Sequence, residues 1–196
     1  MLSSLSSSKM NGGSVLKNLI NFVPMKISRY WEMPNSNTFE IQRIKKLIGN
    51  YLRSDYLSID PFANKSRLAK ITNDLNPDMN CDYSMDAIDF MKTFKDNSID
   101  FVFYDPPYSL RQVSECYKSV GIEVTTETTQ SSWRSKHIKE ITRIVKQGGH
   151  VMCFGWNSSG IGKVNGFELI EILLVAHGGS HNDTICTVEK KIKTLF

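Results

Sequence analysis

The sequence predicts an α/β domain with a mainly parallel central sheet and a C-terminal antiparallel hairpin. Three observations carry this. Short apolar runs alternate with amphipathic helical patterns, as β–α–β units require. Acidic residues recur at the ends of those runs. The last two runs, Glu168–Ala176 and Thr184–Lys190, are joined by the short loop His177–Asp183, so they pair as a hairpin.

Residues 1–24 are rich in Ser, Asn and Gly and are expected to be flexible. One domain is expected over residues 25–196, with order beginning near Arg29-Tyr30-Trp31. Asn37 and Glu40 form a capping-box pattern. Ile41, Ile44, Leu47 and Ile48 follow at helical spacing, and Gly49-Asn50 is read as the helix end. Strands follow at Tyr56–Ile59 and Lys70–Asn73. Asp86 to Phe94 reads as a helix with Ile88, Met91 and Phe94 inward. Ile99–Tyr104 is an apolar run of buried-strand type. His137–Lys146 reads as a helix broken by Gly148-Gly149, and His150–Phe154 as the next strand. Between the Ile99–Tyr104 run and the His137–Lys146 helix, residues 110–136 are polar and Thr/Ser-rich, and are expected to form a mobile loop on the substrate side.

Composition excludes several classes. No apolar stretch approaches the ~20 residues of a membrane span. The net charge of +4 comes from 24 basic and 20 acidic residues, and the excess sits in residues 1–31, which hold Lys9, Lys17, Lys26 and Arg29 and no acid. A cytoplasmic, bacterial or phage-like setting is the expectation. Residues 1–24 also share the Ser-rich, acid-poor character of a transit peptide, but are poor in arginine. Cys81, Cys116, Cys153 and Cys186 are widely spaced, and His177 and His181 flank a Gly-Gly turn, so no metal site is expected.

The most informative tetrapeptide is Asp105-Pro106-Pro107-Tyr108, at the carboxyl end of the Ile99–Tyr104 run. Ligands of open α/β sheets bind at that end. A carboxylate there can accept a hydrogen bond from an amine. The prolines fix the chain so that a carbonyl can point the same way, and the tyrosine offers a flat face to a ring. A plain surface turn would use the same residues.

The tetrapeptide resembles the catalytic motif of the amino-methyltransferases, which methylate exocyclic amines of bases in DNA. Further segments fit. Asp60-Pro61-Phe62-Ala63-Asn64 resembles the family's loop beneath S-adenosylmethionine, with Asp60 facing the methionine ammonium directly or through water. The family continues with glycines, whereas this chain has Asn64-Lys65-Ser66-Arg67; Asn64 can tolerate a left-handed conformation. Asp74, followed by Leu75, ends the second strand, where an acid can accept ribose hydroxyls. Asp86-Ala87 precedes a helix; its counterpart takes the cofactor's adenine amine, and Asp86 also suits a helix N-cap. Arg29–Asn35 and Phe154-Gly155-Trp156-Asn157 extend the similarity to the small phage- and bacterial-type DNA N6-adenine methyltransferases.

The resemblance implies a Rossmann-like S-adenosylmethionine-dependent methyltransferase fold. It also implies methyl transfer to a flipped DNA base, adenine N6 first and cytosine N4 second. Asp105 and the Pro106 carbonyl would hold the amine, and Tyr108 would stack on the base. Arg111, Lys118 and Arg134 are candidate phosphate contacts. Target recognition would fall to the 110–136 segment, the basic N-terminal end, the His177–Asp183 loop, a partner subunit or a homodimer. RNA methylation and a catalytically inactive partner subunit are the rival readings.

Overall fold

A computed structural model describes residues 24–35, 37–125, 132–179 and 181–192. The expectation for residues 1–24 lies almost wholly outside these. Seven strands form one sheet: β1 (Lys26–Trp31), β2 (Ser58–Asp60), β3 (Ile71–Thr72), β4 (Ile99–Tyr104), β5 (Val145–Gly155), β6 (Phe167–Ala176) and β7 (Thr184–Lys191). Their order is β1-β6-β7-β5-β4-β2-β3. Only β7 runs antiparallel, against both β5 and β6. The predicted architecture, with its closing hairpin, is therefore the observed one.

Among the described residues, four α-helices flank the sheet: α1 (Gln42–Tyr51), α2 (Ala87–Lys92), α3 (Leu110–Ser119) and α4 (Ser132–Ile144). β4 organises the core because its side chains alternate between two buried faces. Phe101 and Phe103 point into a cluster with Ile44, Leu47 and Ile48 of α1. Val102 and Tyr104 point into a second cluster with Phe90 and Met91 of α2 and Ile141 and Ile144 of α4. Phe90, which the sequence reading did not place inward, is fully buried, while Ile88 and Phe94 are half-buried.

Three local expectations are corrected. Asn37 makes no side-chain cap; a 3-10 turn over Thr38–Glu40 comes first, and α1 starts at Gln42. Ile41 is extended at ψ 123° and buried, so its side chain is drawn into the core at the cost of a continuous helix. Gly49-Asn50 does not end α1. The helix runs on to Tyr51, whose hydroxyl donates to Glu171 at 2.8 Å. Finally, residues 110–136 are not one loop. Ser109 caps α3, accepting from the Gln112 amide at 3.3 Å, and α4 begins at Ser132. The stripe Leu110, Val113, Tyr117 carries that helix signal, and Val113 and Tyr117 are buried against Trp133.

No helix among the described residues is long and apolar enough to cross a membrane. Since Phe103 is fully buried and its ring lies 5.3 Å from that of Phe39, Phe103→Ala should lower stability by about 3–5 kcal/mol. Urea denaturation with tryptophan fluorescence measures this.

Candidate cofactor and amine site

β2 and β4 are adjacent and parallel, yet the chain leaves β2 toward β3 on one side and β4 toward β5 on the other. This is a topological switch point, where the carboxyl ends of the strands open a crevice. A cavity of about 540 Å³ occupies it. Of the predicted residues, Pro61, Phe62, Asn64, Asp74, Leu75, Asp86, Ala87, Asp105, Pro106, Pro107 and Tyr108 line it. Among the described residues, its charged lining is Asp74, Asp86, Asp105 and Glu115, with no basic side chain.

Asp105 sits in the floor. Tyr108 donates its hydroxyl to Asp105 Oδ1, and Thr38 also hydrogen-bonds the carboxylate. Burial pushes the carboxyl up to about 6, against the opposing pull of those two bonds. A carboxylate has about four acceptor positions, so capacity for an amine is left. The Tyr108 ring lies edge-on to Trp156, with centroids 5.5 Å apart. Those two residues also line a second cavity of about 260 Å³ on the far side of the proline turn.

Asp60 ends β2 beneath the cavity wall without lining it. It is 1% exposed. Oδ1 accepts the Phe62 amide at 3.0 Å, while Oδ2 is buried without a hydrogen-bond partner. Burial, and then the negative charge of Asp105 and Asp74, push its carboxyl well above the usual range. A buried acid with an open acceptor is a site that a cation would satisfy. The acid-lined cavity above it suits a positively charged ligand for the same reason.

Asp74 and Asp86 do structural work as well. Asp74 Oδ2 accepts the Asn64 amide and Oδ1 the Asn76 amide, both at 2.9 Å. Asp86 is the N-cap of α2, accepting the Ile88 amide at 2.8 Å, and its other oxygen accepts the Tyr117 hydroxyl at 2.6 Å. Ala63 lies on the opposite side of its loop, its amide donating to the Asn73 carbonyl at 2.8 Å. The cavity also takes in residues the sequence reading missed, above all Thr38, Gln112, Tyr117 and Trp133. Tyr117 was hidden by the misread helix α3. His137, whose ring lies 4.2 Å from that of Trp133, is driven down to about 4 by burial and supports that wall as a neutral ring.

The three candidate cations are not brought together here. Arg111 is exposed and paired with Glu115 at 2.7 Å. Lys118 is exposed on α3. Arg134 donates to the Gly160 carbonyl at 2.6 Å and lines the second cavity. His177 is a structural residue, bonded to the Glu32 carbonyl at 2.8 Å and to the Thr184 hydroxyl at 2.9 Å.

No protein-family model matches this chain, and no curated protein sequence does so significantly. Solved structures do. TrmN from Thermus thermophilus superposes with a TM-score of 0.53 at 15% identity over 78% of this chain, which spans about half (49%) of that protein. The complex between the Haloferax volcanii Trm112 methyltransferase activator and its methyltransferase gives 0.52 at 12% identity, covering 78% of this chain and 89% of that one. A SAM-dependent methyltransferase from Methanosarcina mazei gives 0.51 at 12% identity, over 76% and 98%. At such identities the likeness is one of fold: the chain has the Rossmann-like methyltransferase fold.

The loop lacking glycines turns at Asn64, with φ 48°. A left-handed residue other than Gly or Asn costs about 1–2 kcal/mol. Asn64→Ala should therefore destabilise the protein by about that amount, and Asn64→Gly by less, in paired urea titrations.

Proposed function

We propose that this chain transfers a methyl group from S-adenosylmethionine to the exocyclic amine of a nucleic-acid base, with adenine N6 in DNA the first choice and cytosine N4 the second. The observation that carries the reading is the charge of the cavity. Among the described residues, four acids line it, a fifth lies beneath with an open oxygen, and no basic side chain lines it. S-adenosylmethionine carries a sulfonium and an ammonium, and when bound it supplies the electrophilic methyl. A cavity of about 540 Å³ is of ligand-pocket size. Asp60, beneath the wall, would face the ammonium directly or through water, Asp74 the ribose hydroxyls, and Asp86 the adenine amine.

The protein's own part is positioning. An aryl amine shares its lone pair with the ring. Hydrogen bonds from its two N–H groups to the Asp105 carboxylate and the Pro106 carbonyl favour a tetrahedral nitrogen with the lone pair free. Pro106 donates no backbone hydrogen bond, so the turn offers an acceptor and no competing donor. Tyr108 holds the carboxylate and flanks the base with its ring. Asp105 acts as an acceptor and must be ionised to take both roles.

Its raised pKa sets a pH dependence. The acceptor form is complete well above pH 6 and is lost as pH falls through about 6. The rate should therefore fall on the acid side with a midpoint near 6. Asp105→Asn, which keeps an acceptor oxygen and cannot titrate, should lose that limb. Asp105→Ala should lower kcat by at least about 100-fold while changing cofactor affinity by no more than about threefold. Steady-state kinetics with calorimetric titration of the cofactor measures both. Full activity of Asp105→Ala would refute the assignment.

A further inference from the structure

The turn at Asp105–Tyr108 has a second side. Pro106, Pro107, Tyr108 and Trp133 border both the acid-lined cavity and the cavity of about 260 Å³, so they form the partition between the two. The two sides differ in charge. Among the described residues, no carboxylate lines the smaller cavity, and its charged lining residue is Arg134. Neither Asp74, Asp86 nor any residue of the 60–64 loop borders it. Arg134 is fixed at its wall by the bond to the Gly160 carbonyl at 2.6 Å. Glu189 lies behind that loop, 2% exposed, with its oxygens accepting the Ile161 and Gly162 amides. Residues 160–162 are thus clamped from both α4 and β7. The first residues of α3 meet the same cavity at Ser109 and Leu110, which adds the positive end of the helix dipole. On the opposite rim the chain leaves β5 at Trp156. Its indole meets the Tyr108 ring edge-on and is still 42% exposed.

We infer that the smaller cavity holds the nucleotide next to the target: its base stacks on Trp156 and its phosphate is held by Arg134, while the target base lies at Tyr108. The inference rests on the proposed function, because it takes Tyr108 as the ring beside the target base. A strand with its target base at that ring passes the neighbouring nucleotide along the partition, to the side where Trp156 stands. Charge selects the same side. Four acids repel a polyanion from the larger cavity, whereas Arg134 and the start of α3 attract one to the smaller. An exposed aromatic beside a basic wall is also the combination that holds a single strand, since every base has a face to stack and every nucleotide a phosphate to pair.

The test measures binding of fluorescently labelled single-stranded DNA by anisotropy. Three probes carry one adenine in a thymine tract: one intact, one abasic on the 5′ side of the adenine and one abasic on its 3′ side. Wild type is compared with Trp156→Ala, Trp156→Phe, Arg134→Gln and Lys118→Glu, and S-adenosylmethionine is titrated in parallel. One of the abasic probes should bind the wild type about tenfold more weakly than the intact probe. Trp156→Ala should weaken the intact probe by a similar factor and that abasic probe no further, because the two changes remove the same contact. Trp156→Phe should stay within about threefold of wild type. Arg134→Gln should lower the slope of log affinity against log salt by about one. Lys118→Glu, whose side chain lies outside the cavity, should bind as wild type. Wild-type affinity in Trp156→Ala overturns the inference, as does an unchanged salt slope in Arg134→Gln or wild-type protein that binds no probe. Losses from Trp156→Ala and the abasic site that multiply also overturn it, since Trp156 would then act only by supporting Tyr108. Failure of the wild type to bind cofactor counts against the proposed function, and oligonucleotide binding is read independently of it.

Discussion

Two neighbouring carboxylates at a strand switch point constrain the rest of this structure. Asp60 ends β2 and Asp105 follows β4, and the two strands pair directly. Each carboxyl is raised by burial, and Asp60 is raised further by Asp105. Packing such groups together costs stability unless something satisfies them. The protein does so only in part, with the Phe62 amide for one and the Tyr108 and Thr38 hydroxyls for the other. Asp105 lines the crevice, and the open oxygen of Asp60 lies buried beneath its wall, so the fold holds unmet acceptor capacity at and just below the place where a ligand would bind. Unmet polar groups of this kind cluster at sites of function, where local consistency gives way to binding.

The surrounding architecture makes that arrangement tolerable. β4 is anchored on both faces by separate apolar clusters, one against α1 and one against α2 and α4. That rigidity lets the Asp105–Tyr108 turn stay in place despite its charge. The cavity walls come from elements that are far apart in sequence. Thr38 precedes α1, Tyr117 closes α3, and Trp133 opens α4. Tyr117 and Asp86 share a hydrogen bond across 31 residues, joining the cap of α2 to the face of α3. Helix capping, core packing and ligand presentation thus use the same side chains.

How much of this was legible in the sequence depended on how strongly one local signal dominated. Ile99–Tyr104 was read with its observed bounds because a fully buried strand is a continuous apolar run. The acids were found in order because strand ends are where an α/β sheet places ligands. The helix α3 was missed because its narrow stripe lies in a Thr/Ser-rich stretch, where composition outweighed periodicity. The cap at Asn37 failed because burial of Ile41 overrode a favourable local pattern. Asp74 and Asp86 were expected beside the crevice and do line it, but their bonds to Asn64 and Tyr117 depend on which loops and helices pack against them, which no local motif encodes.

The central claim is that the acid-lined crevice delivers a methyl group to an exocyclic amine held at Asp105. Its most direct measurement uses cofactor carrying an isotopically labelled methyl group, incubated with the protein and either DNA or RNA. The nucleic acid is then digested and the nucleosides analysed by mass spectrometry. The account predicts label on an exocyclic nitrogen, N6 of adenine first. Label on a ring carbon, a ring nitrogen or a ribose oxygen would contradict it, because the acceptor pair at Asp105 and Pro106 has no role in those reactions.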